Sequence, residues 1–215
     1  MLKEESRFYK WKLFFIRIRH GLFLMTLRSI LARLGVDIGF YYWVLEASSI
    51  IKEPKIKGEN QDFDFGFLNV EEIRTLRNIH FLDVDKLIGN LNNGLKIIGL
   101  KNTSGRIAAF MFIEYNSFTY RKKRFYLDKG EVYLSNMYTY QDFRGLNLAP
   151  FLRYKSYKLL EKEGVDKIYS ITDYFNKSSQ KFKKKLLAQN IHLYFAIVLF
   201  KRFHRTFKIK EYSYS

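Results

Sequence analysis

Apolar positions at Leu24, Leu27, Leu31 and Leu34 recur at the spacing of one helical face, inside a basic, aromatic segment running from Phe8 to Leu34. Gly35 suits the end of that helix, and Phe40–Leu45 then reads as a short strand. From Lys52 to Asp64 the composition turns polar around Pro54 and Gly58, which predicts a loop. Beyond it the pattern changes element by element. Val70–Ile79 predicts a helix capped by Asn69 with Glu71 and Glu72 in its first turn, and Asp83–Leu91 predicts a second. Leu95–Lys101 and Ile107–Tyr115 flank Asn102-Thr103-Ser104-Gly105 as a hairpin, and Val132–Tyr140 is a further strand. Pro150–Glu163 predicts a helix with Gly164 as its stop. Lys167–Thr172, Ser178–Leu187 and Ile191–Phe200 follow as strand, helix and strand.

Strands alternating with helices after a hairpin give a mixed α/β, or α+β, sheet flanked by helices. The pattern divides the chain into an N-terminal extension, residues 1–65, basic and helical, and a core module, residues 66–215.

Composition narrows the function. With 215 residues, 47% of them apolar and 18% aromatic, the chain can bury a full core and is not a disordered one. Having no cysteine, it can hold no disulfide, cysteine-ligated metal or thiol nucleophile. Its 38 Lys and Arg against 21 Asp and Glu give a net charge of +17, which calls for an anionic partner. The charge gathers at both ends, in Lys3 to Arg33 and in Lys181–Lys185 and Lys201–Lys210. Phe203 and Phe207 interleave the last cluster as on nucleic-acid surfaces, but no binding module surrounds it, and a rim beside an anionic acceptor or membrane is the preferred reading.

No window supplies the roughly 20 apolar residues of a membrane span. Leu13 to Leu34, the nearest approach, is broken by Arg17, Arg19, His20, Arg28 and Arg33, which also argues against a signal peptide. Two readings of residues 8–34 stay open: a helix docked on the protein's own core, or a peripheral anchor on anionic membrane. The expected location is cytoplasmic, with that anchor on the inner face of the membrane as its variant. His20, His80, His192 and His204 are scattered, so no metal site is expected.

The stretch that carries chemistry runs from Tyr133 to Arg153. A strand enters a tight loop of small residues, Gly145, Asn147 and Ala149, and the loop opens directly into a helix. A helix start presents unpaired N–H groups and a positive dipole end, and small residues let a pyrophosphate approach them. Asn147 can take the left-handed conformation that such a bend needs.

Arg144-Gly145-Leu146-Asn147-Leu148-Ala149 resembles motif A of the GNAT acyl-CoA N-acyltransferases, with Asn147 where a glycine is usual. Ile168–Thr172 followed by Asn176-Lys177-Ser178-Ser179 resembles the family's next strand and helix start. The resemblance implies a GNAT-like, mostly antiparallel sheet and an acyl group, acetyl or related, passed from acetyl-CoA to a primary amine without a metal. Met137, Tyr138 and Thr139 would pair with pantetheine and offer an N–H to the oxyanion. Arg144, Gly145, Leu146, Asn147, Leu148 and Ala149 would hold the pyrophosphate, and Asn176 and Ser179 would complete the cofactor site. Ser178 and Ser179 are also expected to cap their helix.

Glu131, at the start of the strand, is the candidate base. Lys183 stands where many members carry the tyrosine that protonates the thiolate, and Leu187-Ala188 replaces a usual Gly-Phe. Tyr138 and Tyr194 are therefore candidate acids. An amino sugar for a bacterial surface polysaccharide is the expected acceptor, a small anionic amine. A protein or peptide amine, and a non-catalytic module for membrane or nucleic acid, are the alternatives.

Overall fold

The computed structural model describes residues 27, 30–46, 52–58, 62–79, 82–200 and 202–213. Most of the predicted N-terminal helix, with His20, His80 and Lys201, lies outside these. Among the described residues ten strands form: β1 Val36–Leu45, β2 Phe63–Phe67, β3 Leu95–Asn102, β4 Ile107–Glu114, β5 Phe118–Tyr120, β6 Lys123–Phe125, β7 Glu131–Thr139, β8 Lys167–Asp173, β9 Gln189–Leu199 and β10 Phe203–Glu211. The α-helices α1 Val70–Arg74, α2 Val84–Asn90, α3 Leu148–Lys162 and α4 Lys177–Lys185 accompany them, and residues 30–33 are helical ahead of β1. Eight strands make one sheet in the order β10-β9-β1-β8-β7-β4-β3-β2, antiparallel except for the β7–β8 pair. β5 and β6 form a separate hairpin. This is the mixed, mostly antiparallel sheet that the sequence predicts.

The division at residue 66 does not follow the sheet. β1 sits between β8 and β9, pairing with both, and Tyr41 on it is fully buried. β2, expected as the end of a loop, pairs with β3 at the opposite edge. Strand pairing joins residues far apart in sequence, so a composition boundary carries no information about it. Two further elements were not expected: the β5–β6 hairpin, and β10, whose Lys and Arg residues hid a strand.

Core formation follows the two faces of the sheet. On one, α3 lays Leu148, Leu152 and Leu160 against Ile98, Met111 and Val132. Behind the sheet, Ile73, Leu76 and Val84 from α1, the 3₁₀ turn after it and α2 pack on Ile97, Phe110 and Phe112. A third, aromatic cluster, with Tyr41, Trp43, Tyr133 and Tyr194, lies under the hairpin. Local caps fix the short helices. Asn69 and Glu72 close a reciprocal capping box on α1, and Asp83 accepts the Lys86 N–H on α2. Gly39 on β1 lets the hairpin settle, since a Cβ there would come within 2.6 Å of the Arg121 guanidinium, which pairs with Asp37 at 3.2 Å.

Candidate functional site

β7 and β8 pair in parallel only from Glu131 opposite Lys167 to Leu134 opposite Ser170. Past that point Asn136 takes a positive φ of 48°, and the pairing of β7 with β4 shifts register between Phe110 and Phe112. The irregularity turns β7 away from β8. Between the parted strands and the starts of α3 and α4 lies a cavity of about 400 Å³, with Met137, Thr139, Ala149, Asn176 and Ser179 in its wall.

The loop ahead of α3 has the predicted geometry. Asn147 is left-handed, φ 66° and ψ 23°, and is the N-cap of α3. Gly145 has φ 88° with open space where a side chain would point. Among the described residues no hydrogen bond engages the N–H of Gly145, Leu146 or Asn147. These amides and the helix dipole make an anion seat. The helix begins at Leu148, two residues before the proline that was expected to open it. Arg144 turns back, its Nε donating to the Thr139 carbonyl at 3.2 Å and its guanidinium over the Tyr138 ring. Asn176, not Ser178 or Ser179, caps α4: its Oδ1 accepts the Ser179 N–H at 3.1 Å.

Three predicted catalytic side chains lie away from the cavity. Glu131 sits where β7 and β8 are still paired, bound to Lys167 at 3.2 Å, the Tyr169 hydroxyl at 3.1 Å and the Asp128 N–H at 3.1 Å. Burial raises its carboxyl, but those bonds outweigh it and hold the group below the ordinary carboxylate range. Tyr138, alternating with Met137, packs behind the sheet on Phe110. Tyr194 stacks on Tyr41 in the aromatic cluster.

A buried ionic network, missed from the sequence, lies beneath the cavity instead. Glu46, just after β1, is 2% exposed and takes hydrogen bonds from the Tyr157 and Ser170 hydroxyls. Lys183 Nζ lies 3.2 Å from its Oε1 and donates to Ser170 Oγ at 2.5 Å and Thr172 Oγ1 at 2.6 Å. Arg153 Nη1 is 3.5 Å from the same carboxylate, and its Nε and Nη1 make no hydrogen bond. Burial works against the Glu46 charge, yet Lys183, Arg153 and the two hydroxyls hold it at about 2. Burial lowers the Lys183 ammonium to about 8, with Arg153 adding to the effect and Glu46 opposing it. Two cations against one carboxylate leave a surplus positive charge, and Arg153, Thr172 and Lys183 all line the cavity. The one carboxylate among the described lining residues is Asp173.

A second hollow of about 580 Å³ adjoins the first, sharing Ala149, Ser178 and Phe182 with it. Residues 52–55 line it, and their segment is tied to the α3 loop by Asn147 Nδ2 to the Lys55 carbonyl at 2.7 Å and Lys57 N–H to the Leu146 carbonyl at 2.9 Å. Lys52, Lys55, Lys181 and Lys185 surround it, while Glu53 is drawn off by Lys155 at 2.9 Å. The polar run that read as a plain loop is therefore part of the site. Among the described residues no group of His, Asp or Glu side chains could hold a metal ion, and no helix is long and apolar enough to cross a membrane.

No protein-family model and no curated protein matches the chain. Solved structures do. An acetyltransferase from the GNAT family of Colwellia psychrerythraea matches with 16% identity and a TM-score of 0.52, over 81% of this chain and 57% of its own. The glucosamine N-acetyltransferase region of a fungal multi-domain GH3 β-N-acetylglucosaminidase matches with 14% identity and a TM-score of 0.55, over 84% and 23%. A Drosophila protein from a structural genomics consortium matches with 12% identity and a TM-score of 0.55, over 82% and 57%. This chain thus spans less than two thirds of the length of these structures. It has the GNAT fold.

Proposed function

We propose that the chain is an N-acyltransferase that moves an acetyl or related acyl group from acyl-CoA to a primary amine. The observation that carries this reading is the parting of β7 from β8 beside three unengaged amides at the start of α3. The freed edge of β7 can pair with the amides of a pantetheine arm as with an added strand. The N–H groups of Gly145, Leu146 and Asn147 hold the pyrophosphate, and the lysine-lined hollow holds the phosphorylated adenosine end. Acyl-CoA, when bound, supplies an activated thioester.

The residues of the cavity divide the remaining work. Asp173 takes the ammonium proton of the acceptor, since a protonated amine has no lone pair to attack with. A backbone N–H of the β7 irregularity faces the oxyanion. As the C–N bond forms and the C–S bond breaks, the sulfur receives a proton from Thr172 Oγ1, which takes one from Lys183 in turn. An ammonium held at about 8 is well matched to a thiol of ordinary pKa about 8.5. The surplus charge of Arg153 stabilises the thiolate before it is protonated.

An amino sugar is the preferred acceptor. Two tyrosines, Tyr120 and Tyr133, line the cavity, and aromatic side chains with a polar tip suit a sugar ligand. The fungal neighbour is described as acetylating glucosamine. Calorimetry with acetyl-CoA, followed by an assay of free-thiol release with glucosamine, its phosphates and a lysine peptide, tests the reading. Saturable binding and amine-dependent thiol release are expected, and absence of acetyl-CoA binding rejects it.

A further inference from the structure

The outer third of the sheet carries an apolar face that no described element covers. Strand register puts Leu199 beside Val36 and Phe203, Ile197 beside Ile38 and Arg205, and Phe195 beside Phe40 and Phe207. Side chains paired across strands share a face, so these three rows lie together. The opposite face is occupied by the hairpin, through Tyr41, Tyr194 and the Arg121–Asp37 pair.

Phe40, Phe195 and Phe207 make a row of rings, with centroids 4.7 and 6.4 Å apart, yet Phe195, Ile197 and Leu199 join none of the three buried clusters. Phe203 and Phe207 are 48% and 49% exposed, and at the corner Leu34 and Phe200 are each 69% exposed. A contiguous patch of this kind marks a contact surface.

Charge selects the occupant. Arg33, Arg202, Arg205 and Lys210 lie around the patch, whereas Lys208 pairs with Tyr194 on the opposite face. Of the nearby acids, Glu211 is held by Lys208 at 2.6 Å, and Asp37 faces the other side. A second copy would set this basic rim against its own like, and so would the segment that precedes residue 27, with Lys3, Arg7, Lys10, Lys12, Arg17 and Arg19. An anionic bilayer opposes neither, and its interface accepts aromatic rings flanked by basic side chains.

We propose that this face of β1, β9 and β10 is a docking surface for anionic lipid bilayer. It lies apart from the cavity, and the inference stands independently of the acyltransfer reading. The full chain should co-sediment with phosphatidylcholine vesicles containing about one third phosphatidylglycerol and stay in solution with phosphatidylcholine alone. Replacing Phe203 and Phe207 together by Asp should weaken that partitioning about tenfold or more. Arg205→Glu should weaken it separately and flatten its salt dependence. Melting temperature and the far-UV circular dichroism spectrum serve as the controls for folding in both variants. Failure of the wild-type chain to bind anionic vesicles, equal binding to neutral ones, or unchanged partitioning of both variants overturns the proposal. So does light scattering that finds a dimer dissolved by the Phe substitutions in a chain that ignores lipid.

Discussion

Lys183 on α4 lies 3.2 Å from Glu46, just after β1, with both side chains buried. The contact ties residues 137 positions apart and sets the electrostatics of the cleft floor. It also explains how a lysine is tolerated where an apolar or aromatic side chain would pack more simply. The ammonium satisfies Ser170 and Thr172 as well as the carboxylate, leaving no donor of its own idle.

Glu46→Gln should therefore be among the most destabilising single changes in the molecule. It leaves Lys183 and Arg153 buried without a counter-charge, a situation that costs about 3–5 kcal/mol in comparable buried pairs. Urea denaturation should show a lower midpoint at unchanged slope. A loss below about 1 kcal/mol would contradict the network described here.

Acid should expose the same dependence. The Glu46 carboxyl is held at about 2 in the folded chain against an ordinary 4.5. Between those values the unfolded chain binds the extra proton, so the stabilisation is complete above about 4.5 and is lost as pH falls towards 2. Thermal melts across that window should steepen for the wild type relative to Glu46→Gln, which lacks the titrating group.

Ala149→Phe fills the cavity from the first turn of α3, where the small side chain leaves room for a ligand. Acetyl-CoA affinity should fall about a hundredfold by calorimetry, an effect of roughly 3 kcal/mol. Because residue 149 faces the cavity, the melting temperature should move little.

Catalysis should separate Asp173 and Lys183 from Glu131. Asp173→Asn and Lys183→Met should each lower kcat by about 10²–10⁴ with little change in KM, the usual range for a lost acid or base. For the wild type, kcat should decline as pH rises through about 8, where the Lys183 ammonium loses its proton. Glu131→Gln should stay within about twofold of wild type. A large loss there would return the base to the paired end of β7.

Legibility in the sequence followed the range of the interactions. The bend at Asn147 depends on a few consecutive residues and was readable at that scale, whereas α3 starts two residues ahead of its expected proline and α4 is capped by Asn176 in place of the expected serines. That Glu131, Tyr138 and Tyr194 lie outside the cavity was not legible, because strand alternation tells which side chains share a face without telling where two strands part or what covers that face. Glu46 gave a faint signal as the acid closing an apolar run. Arg153 gave another, lying on α3 among Leu148, Leu152 and Leu160, the residues that meet the core.

The sequence by itself determined the alternation of strands and helices, the small-residue loop and the excess of positive charge, all of them local or additive properties. Tertiary structure alone decided that β1 enters between β8 and β9, bringing Glu46 beneath the cleft, and that β10 spreads an aromatic row across the sheet's outer face. Sheet order and register arise from hydrogen bonding between distant segments, and only their closure brings a buried charge to its partner or leaves an apolar face bare.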